Sequence, residues 1–341
     1  MRHAVLQPVI AVALAAALTG CWFSEGVEEF GGPTMGSTYS VKYVRAEGTP
    51  GPDRLKAETE AILAEVDRQM STYRDDSLIS QFNRAPAGSC MAMPDALLQL
   101  VRAGQALAQE SGGAFDLTLE PLLNLWGFGP QARVEQVPTA QQLAEVRRHT
   151  GHQHLRIEGA QLCKDVDLQL DLNSIAAGYT VERIVARLGE LGVSRYLVDV
   201  TGELKAAGRK PGGEPWRIAI EAPRDDQRVA QRILQLDGYG ISTSGDYRNY
   251  FEENGTRYSH TLDPQTGAPI THKLASVTVA DRSTLRADGL STLLMVLGPE
   301  RGLAYAEGAG IAAFFVTRDG EGFVTRTTAA FEQLFAAGEE Q

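Results

Sequence analysis

The 341-residue chain contains only three cysteines and has no concentration of positive charge. It carries 32 Lys and Arg residues against 43 Asp and Glu residues, which gives a formal net charge of −11. The absence of a basic stripe argues against a nucleic-acid partner, because such binding needs Lys and Arg clustered on one face. If an acidic protein binds a phosphate-bearing ligand, a metal ion or local backbone dipoles must offset the repulsion.

Several common catalytic signatures are missing. The sequence has no HExxH, GxSxG or Walker motif, which argues against a metalloprotease, a lipase-type hydrolase and an NTPase. The run from Gly308 to Ala313 matches a dinucleotide fingerprint in letters, but it follows a predicted helix and precedes a predicted strand, the reverse of the required order. A solvated loop is a better interpretation than a metal site for His149, His152 and His154. No carboxylate stands near enough in the sequence to complete a ligand set.

The first twenty residues are predicted to be a signal peptide. The apolar run from Val5 to Leu18 is too short to cross a membrane as a permanent helix. Leu18-Thr19-Gly20-Cys21 resembles the bacterial lipobox, in which the cysteine is lipidated before cleavage. The alternative is an ordinary cleaved signal with a chance cysteine. We predict a lipid anchor at Cys21, a tether over 21–32 and a location at the periplasmic face of a bacterial membrane.

Two cysteines, Cys90 and Cys163, remain after Cys21. They could form a disulfide in an oxidising compartment, whereas two cysteines cannot form a zinc site of the usual kind. The sequence does not decide whether they pair.

The hydrophobic pattern over 33–341 predicts one α+β domain with mostly antiparallel sheets and packed helices. Asn254-Gly255 predicts a hairpin turn, and Thr139 predicts a helix N-cap. Helices are predicted over 55–70, 97–107, 143–146, 175–191, 284–297 and 303–305, and strands over 38–44, 155–157, 166–172, several segments of 196–279, and 311–317.

Asp288, Ser291 and Thr292 have i, i+3 and i+4 spacing on a predicted helix, so their oxygens project from one face. Carboxylate and hydroxyl oxygens without nitrogen or sulfur suit Mg²⁺. The alternative is that these are ordinary solvated or capping residues. The segment Asp171 to Gly178 leads into another helix through small and polar residues, which suits either anion binding by free N–H groups or a plain N-cap.

His260 is the best candidate for a catalytic base. Two segments rich in hydroxyls and acids, Ser242 to Tyr247 and Ser259 to Pro264, should be brought together by the Asn254-Gly255 turn. An imidazole in that setting can accept a proton near neutral pH. A structural histidine bonded to a carbonyl fits the same pattern.

Motifs along nearly the whole mature chain resemble the ApbE family of FAD:protein FMN transferases. The segments that carry this resemblance are Thr34 to Tyr39, Met70 to Arg74, Gly112 to Asp116, Pro121 to Gly129, Asp171 to Tyr179, Gly202 to Leu204, Ser242 to Tyr247, Ser259 to Gly267 and Ala287 to Thr292. The resemblance implies an ApbE-like, T-fold-like architecture. It also implies transfer of FMN from FAD to a threonine hydroxyl of an exported flavoprotein, such as a respiratory-complex subunit, with release of AMP and dependence on Mg²⁺.

The resemblance also implies roles for individual residues. Asp288, Thr292 and the Ala176 carbonyl would bind Mg²⁺, with Ser291 adjacent, and His260 and Asp288 would be catalytic. The residues expected to bind FAD are Met35, Tyr73, Ala114, Phe115, Asp116, Asp171, Asn173, Tyr179 and His260.

Two positions bear on the type of reaction. Family members often carry lysine where this chain has Ala177, so one cationic contact to the ligand is absent here. Tyr73 favours transfer to a protein, since asparagine at this position accompanies plain FAD hydrolysis in the family. The alternatives to a transferase are a Mg²⁺-dependent FAD pyrophosphatase and a non-catalytic FAD-binding lipoprotein.

Overall fold

The computed structural model describes residues 25–131, 134–224 and 229–336; the predicted signal peptide and Cys21 lie outside these ranges. The helices are α1 (Pro52–Met70), α2 (Leu78–Arg84), α3 (Asp95–Glu110), α4 (Glu120–Trp126), α5 (Ala140–Val146), α6 (Ala176–Glu190), α7 (Thr284–Gly308) and α8 (Ala329–Phe335). The strands are β1 (Gly26–Thr34), β2 (Ser37–Arg45), β3 (Cys90–Ala92), β4 (Leu155–Glu158), β5 (Gln161–Lys164), β6 (Tyr196–Val200), β7 (Glu203–Ala207), β8 (Trp216–Glu221), β9 (Ala230–Leu236), β10 (Tyr239–Gly245), β11 (Tyr250–Glu253), β12 (Thr256–Ser259), β13 (Leu262–Asp263), β14 (Ala268–Pro269), β15 (Leu274–Asp281), β16 (Ala312–Asp319) and β17 (Gly322–Thr327).

An eight-stranded sheet with the order β1-β2-β6-β7-β10-β15-β16-β17 organises the molecule. Smaller sheets are formed by β3-β5-β4, β8-β9, β11-β12 and β13-β14. Every strand pair within the described ranges is antiparallel. The predicted α+β class with mostly antiparallel sheets is therefore confirmed.

Local sequence signals set several element boundaries as predicted. The Thr139 hydroxyl accepts from the Gln142 backbone N–H, and the Gln142 side chain bonds back to the Thr139 N–H, which is a capping box at the start of α5. Asn254 and Gly255 have φ of 51° and 74°, the left-handed conformations that a two-residue hairpin turn between β11 and β12 requires.

The two faces of the main sheet are covered differently. One face packs against α6 and α7, with Leu290, Leu293 and Leu294 of α7 fully buried. The opposite face packs against β8, β9 and α8, where Trp216 and Phe331 fill a second apolar cluster. Because side chains alternate along a strand, β10 presents residues to both layers. α7 packs on this sheet with Asp288 and Ser291 among its buried residues.

Two predictions about the chain's local structure are wrong. Residues 166–172 do not form a strand. Leu168, Leu170 and Leu172 are buried alternately, but the Leu170 backbone bonds to the Asn83 side chain instead of to a neighbouring strand. Residues 26–32 are not part of a tether, since they pair with β2 as most of β1 and bury Phe30.

Cys90 and Cys163 form a disulfide that joins β3 to β5, which answers a question the sequence left open.

α7 continues through both predicted helices and is interrupted at Gly298, where φ is +80° before Pro299. No helix in the described ranges combines the length and apolar character needed to cross a membrane.

Candidate active site

A cavity of about 380 Å³ is bordered by Asp288, Thr292 and Val296 of α7 and by residues from the segments 114–128, 171–174 and 260–264. Nine of the residues predicted to bind FAD or metal line it: Tyr73, Ala114, Phe115, Asp116, Asp171, Asn173, His260, Asp288 and Thr292. Four other predicted residues, Met35, Ala176, Tyr179 and Ser291, do not line it. Segments far apart in sequence therefore meet at one cavity, as the motif pattern indicated.

The α6 and α7 helices approach closely where the cavity begins. Asp288 Oδ2 accepts a hydrogen bond of 2.9 Å from the Gly178 backbone N–H. A Cβ on Gly178 would lie 2.4 Å from the Thr284 carbonyl oxygen and 2.7 Å from the Asp288 Cβ, so only glycine allows this approach. The predicted meeting of the 171–178 segment with the late helix is confirmed.

Hydroxyl groups from β10 and α7 surround the Asp288 carboxylate. Ser242 Oγ lies 3.3 Å from Asp288 Oδ1 and 3.1 Å from Ser291 Oγ. Ser244 Oγ lies 2.9 Å from Ser291 Oγ and 3.3 Å from Thr292 Oγ1. We call these five residues, Ser242, Ser244, Asp288, Ser291 and Thr292, the oxygen cluster.

Glu203, the first residue of β7, adds a second, half-buried carboxylate that was not among the predicted site residues. Its Oε1 lies 3.4 Å from Ser242 Oγ, and its Oε2 accepts from the Thr201 hydroxyl at 2.8 Å. Burial raises the pKa of Glu203 to about 7. Burial, together with the Glu203 charge, raises the pKa of Asp288 well above its usual value. The Gly202-Glu203-Leu204 motif was the available sequence signal.

The chemistry of this donor set fits Mg²⁺. The groups are carboxylates and hydroxyls, the oxygen ligands that a hard cation prefers. Within the described ranges, no Lys or Arg hydrogen-bonds to either carboxylate. Two buried like charges are costly unless a cation compensates them. The Ala176 carbonyl is a less direct candidate for a metal ligand. It accepts a hydrogen bond from the Thr180 hydroxyl at 2.7 Å, and Ala176 lies outside the cavity lining.

His260 is held by the carbonyl of Asn249. That oxygen lies 3.1 Å from both the His260 backbone nitrogen and Nδ1. Since a carbonyl can only accept, Nδ1 carries the proton and Nε2 is the proton-accepting nitrogen. Burial lowers the pKa of His260 from 6.5, so the neutral imidazole predominates at pH 7.

Asp116 and Asp171 also line the cavity, and Glu120 lies outside its lining. Burial raises the pKa of Asp171 to about 6, and its oxygens accept from the backbone N–H and side-chain amide of Asn173. Burial and the Asp171 charge raise the pKa of Glu120 to about 8. Asp116 already accepts from Thr118 and from the His152 backbone N–H. These bonds fix the carboxylates in the cavity wall.

Two of the predicted FAD-binding residues lie away from the cavity lining. Met35 is at the tip of the β1–β2 hairpin with φ of 46° and is 41% exposed. Tyr179 is buried in α6, where its hydroxyl accepts from Arg183 Nη1 at 2.7 Å. Tyr73 is placed differently, since it lines the cavity and remains 70% exposed. The FAD-binding roles of all nine residues, Met35 and Tyr179 included, stay predictions.

A hard-cation donor set and a neutral imidazole bordering one cavity define an enzyme-type site suited to metal-assisted group transfer. Comparison with known proteins agrees with the group-transfer part of this description. The model of the ApbE family matches residues 35–315, and the chain belongs to that family.

Relatives extend over nearly the full length of the chain. The FAD:protein FMN transferase of Vibrio cholerae serotype O1 is 43% identical over 329 residues, covering 96% of this chain and 98% of the relative. The protein of the same name from Escherichia coli K12 is 37% identical, covering 90% and 88%.

Solved structures agree with these relatives. The apo form of Pseudomonas stutzeri flavinyl transferase ApbE is 65% identical with a TM-score of 0.88, covering 93% of this chain and 99% of that one. The flavin transferase ApbE from Vibrio cholerae is 42% identical with a TM-score of 0.85, covering 91% and 99%.

Proposed function

We propose that this chain transfers FMN from FAD to a threonine hydroxyl of an exported flavoprotein, releases AMP and requires Mg²⁺. The names of its relatives support the flavin transfer. The main support for this reaction is that the oxygen cluster and His260 border the same cavity. Phosphoryl transfer depends mainly on charge neutralisation and positioning, and these are what the two features supply.

The cavity wall supplies contacts for both halves of a dinucleotide. Tyr73, Phe115 and Phe128 offer aromatic surfaces to flat rings. Ala114 leaves room beside them, and Asp116, Asp171 and Asn173 present polar atoms held by their own hydrogen bonds. We assign Met35 and Tyr179 to outer positions around FAD, where neither borders the cavity itself.

The metal would be held by Asp288 and Thr292, with Ser291 adjacent, the Ala176 carbonyl nearby and Glu203 as a further carboxylate. A bound Mg²⁺ would supply charge neutralisation for the pyrophosphate. The hydroxyls of Ser242 and Ser244 hold Ser291 and Thr292 in place. Asp288 is positioned in turn by the Gly178 N–H.

His260 would accept the proton of the incoming threonine. The threonine oxygen forms a bond to the phosphorus of the FMN half, the pyrophosphate P–O bond breaks, and AMP leaves with the electron pair. The proton moves to His260 Nε2, the nitrogen that the Asn249 carbonyl leaves free. A neutral imidazole is needed because a threonine hydroxyl does not ionise at pH 7.

The lipobox-like N-terminal sequence supports a proposal about location. We propose that Cys21 is lipidated and that the enzyme acts at the periplasmic face of a bacterial membrane. The Cys90–Cys163 disulfide supports this location, because disulfides persist outside the reducing cytoplasm.

The test uses the full-length protein with FAD, Mg²⁺ and the threonine-bearing domain of an exported respiratory flavoprotein. We expect flavin fluorescence that stays with the denatured acceptor and disappears when its threonine is replaced by valine. Asp288→Asn should abolish transfer and weaken Mg²⁺ binding measured by calorimetry. AMP release at equal rates with and without acceptor would instead identify a pyrophosphatase, and unchanged FAD would identify a binding protein.

A further inference from the structure

A second cavity of about 320 Å³ lies on the opposite face of the main sheet from the oxygen cluster. Ile241 and Thr243 of β10 line it, whereas Ser244 of the same strand lines the first cavity. Glu203 borders both cavities. The second cavity therefore approaches the proposed catalytic residues from the opposite face of the main sheet.

The two cavities meet at a notch in the end of the main sheet. Pairing between β10 and β7 ends at Ile241–Leu204, while pairing between β10 and β15 continues to Gly245–Ser276. On the other side, β2 extends past β6 by Ser37 and Thr38. The β6–β7 turn at 201–202 thus ends before both neighbouring strands do and forms the floor of the notch.

The loop after β10 separates the cavities. Tyr247 and Arg248 line the second cavity, while Asn249 lines the first and holds His260. A group that passes the notch between Glu203 and this loop arrives beside the proposed base and the oxygen cluster.

We propose that the second cavity is the docking groove for the acceptor protein, which binds there as an extended segment with its threonine directed into the notch. This inference rests on the proposed function. A dinucleotide occupying the first cavity would bury most of its own surface there, so the acceptor needs a separate approach.

Strand β8 gives the groove an edge suited to extended peptide. Residues 218–221 of β8 line the groove, and within the described ranges β8 forms a ladder only with β9. Its opposite edge can take main-chain hydrogen bonds from an added strand. The walls carry Asp199, Glu203 and Glu221, and Glu221 is paired with Arg248. The edge of β8 therefore suits an acceptor segment in extended conformation.

The test places a bulky side chain at a groove residue and leaves the proposed catalytic residues unchanged. Ala219 is an exposed groove residue of β8, and Ala92 is a matched exposed strand alanine in the separate β3-β5-β4 sheet. In the full-length enzyme, Ala219→Trp should raise the KM for the threonine-bearing acceptor domain about tenfold or more, with the KM for FAD unchanged. Ala92→Trp should alter neither value. An unchanged acceptor KM in Ala219→Trp would overturn the inference.

A crosslinking measurement decides the question if the tryptophan variant fails to fold. A benzoylphenylalanine at position 219 should crosslink to the acceptor domain on illumination, whereas one at position 92 should not. Absence of the crosslink from 219, or equal yields from both positions, would overturn the docking site. If the unmodified enzyme transfers no flavin, the proposed function fails. If it transfers flavin but the residue at position 219 gives no crosslink, only this inference fails.

Discussion

Gly178 and Asp288, which are 110 residues apart in sequence, are joined by a 2.9 Å hydrogen bond from the Gly178 N–H to Asp288 Oδ2. The contact requires the absence of a side chain on Gly178. It thereby connects the packing of two helices to the position of the carboxylate proposed to bind metal.

Gly178→Ala should separate the helices, because the new Cβ would meet the Thr284 carbonyl at 2.4 Å. We expect a loss of about 1–3 kcal/mol in unfolding free energy, measured by urea denaturation, and a large loss of flavin transfer. Gly189→Ala is the matched control in α6, since its Cβ would meet nothing within 4 Å. That variant should be neutral or slightly more stable, and equal losses in both variants would contradict the packing argument.

His260→Gln should reduce flavin transfer by about 10²–10⁴-fold while leaving FAD binding intact, because the variant lacks the proton acceptor. The wild-type rate should rise with pH as the imidazole loses its proton. Since burial lowers the pKa of His260, the midpoint of this rise should lie below pH 6.5.

The pH–rate profile should flatten in His260→Gln. His149→Gln, which changes a histidine outside the cavity, should keep the wild-type profile. A midpoint that is the same with and without His260 would assign the base to another group.

Glu120→Gln should change how stability depends on pH. Burial and the Asp171 charge raise the pKa of Glu120 to about 8, and the side chain is 1% exposed. An acid whose folded pKa is raised stabilises the fold below its unfolded pKa, and that stabilisation is lost as pH rises through the folded pKa.

The wild type should therefore lose stability between about pH 4.5 and pH 8 relative to Glu120→Gln. At pH 8.5 the variant should be more stable by about 2–4 kcal/mol in urea denaturation, and near pH 4 the two should agree. Parallel stability curves across this range would show that Glu120 titrates normally.

Removing the disulfide should destabilise the chain without altering the chemistry. Cys90 and Cys163 are 73 residues apart, so their link restricts a long loop in the unfolded chain. Cys90→Ser/Cys163→Ser should cost about 2–4 kcal/mol in unfolding free energy. Below the unfolding transition its transfer rate should equal that of the wild type, because neither cysteine lines the cavity. Reductant should destabilise the wild type alone.

Much of the fold was predictable because local signals and tertiary packing agree. The apolar spacing that predicted α1, α3 and α6 corresponds to buried faces in all three helices. Asn254-Gly255 predicted its hairpin because few residues adopt left-handed conformations at low cost. The same logic failed at 166–172, where buried leucines alternate as in a strand but Asn83 supplies the hydrogen bonds.

The site was only partly predictable, because spacing identifies a helix face but not its partners. Asp288, Ser291 and Thr292 could be grouped from i, i+3 and i+4 positions alone. Glu203 could not, since its proximity to Asp288 depends on where β7 ends beside β10. The notch likewise follows from strand lengths and register, which a single sequence specifies weakly.

The distance in sequence between Gly178 and Asp288 also sets when activity can begin. A chain emerging from the ribosome has no assembled oxygen cluster until most of its final third has been made and α7 has packed against both the main sheet and α6. We therefore expect incomplete chains to be unable to transfer flavin, because the site forms only when nearly the whole polypeptide has folded.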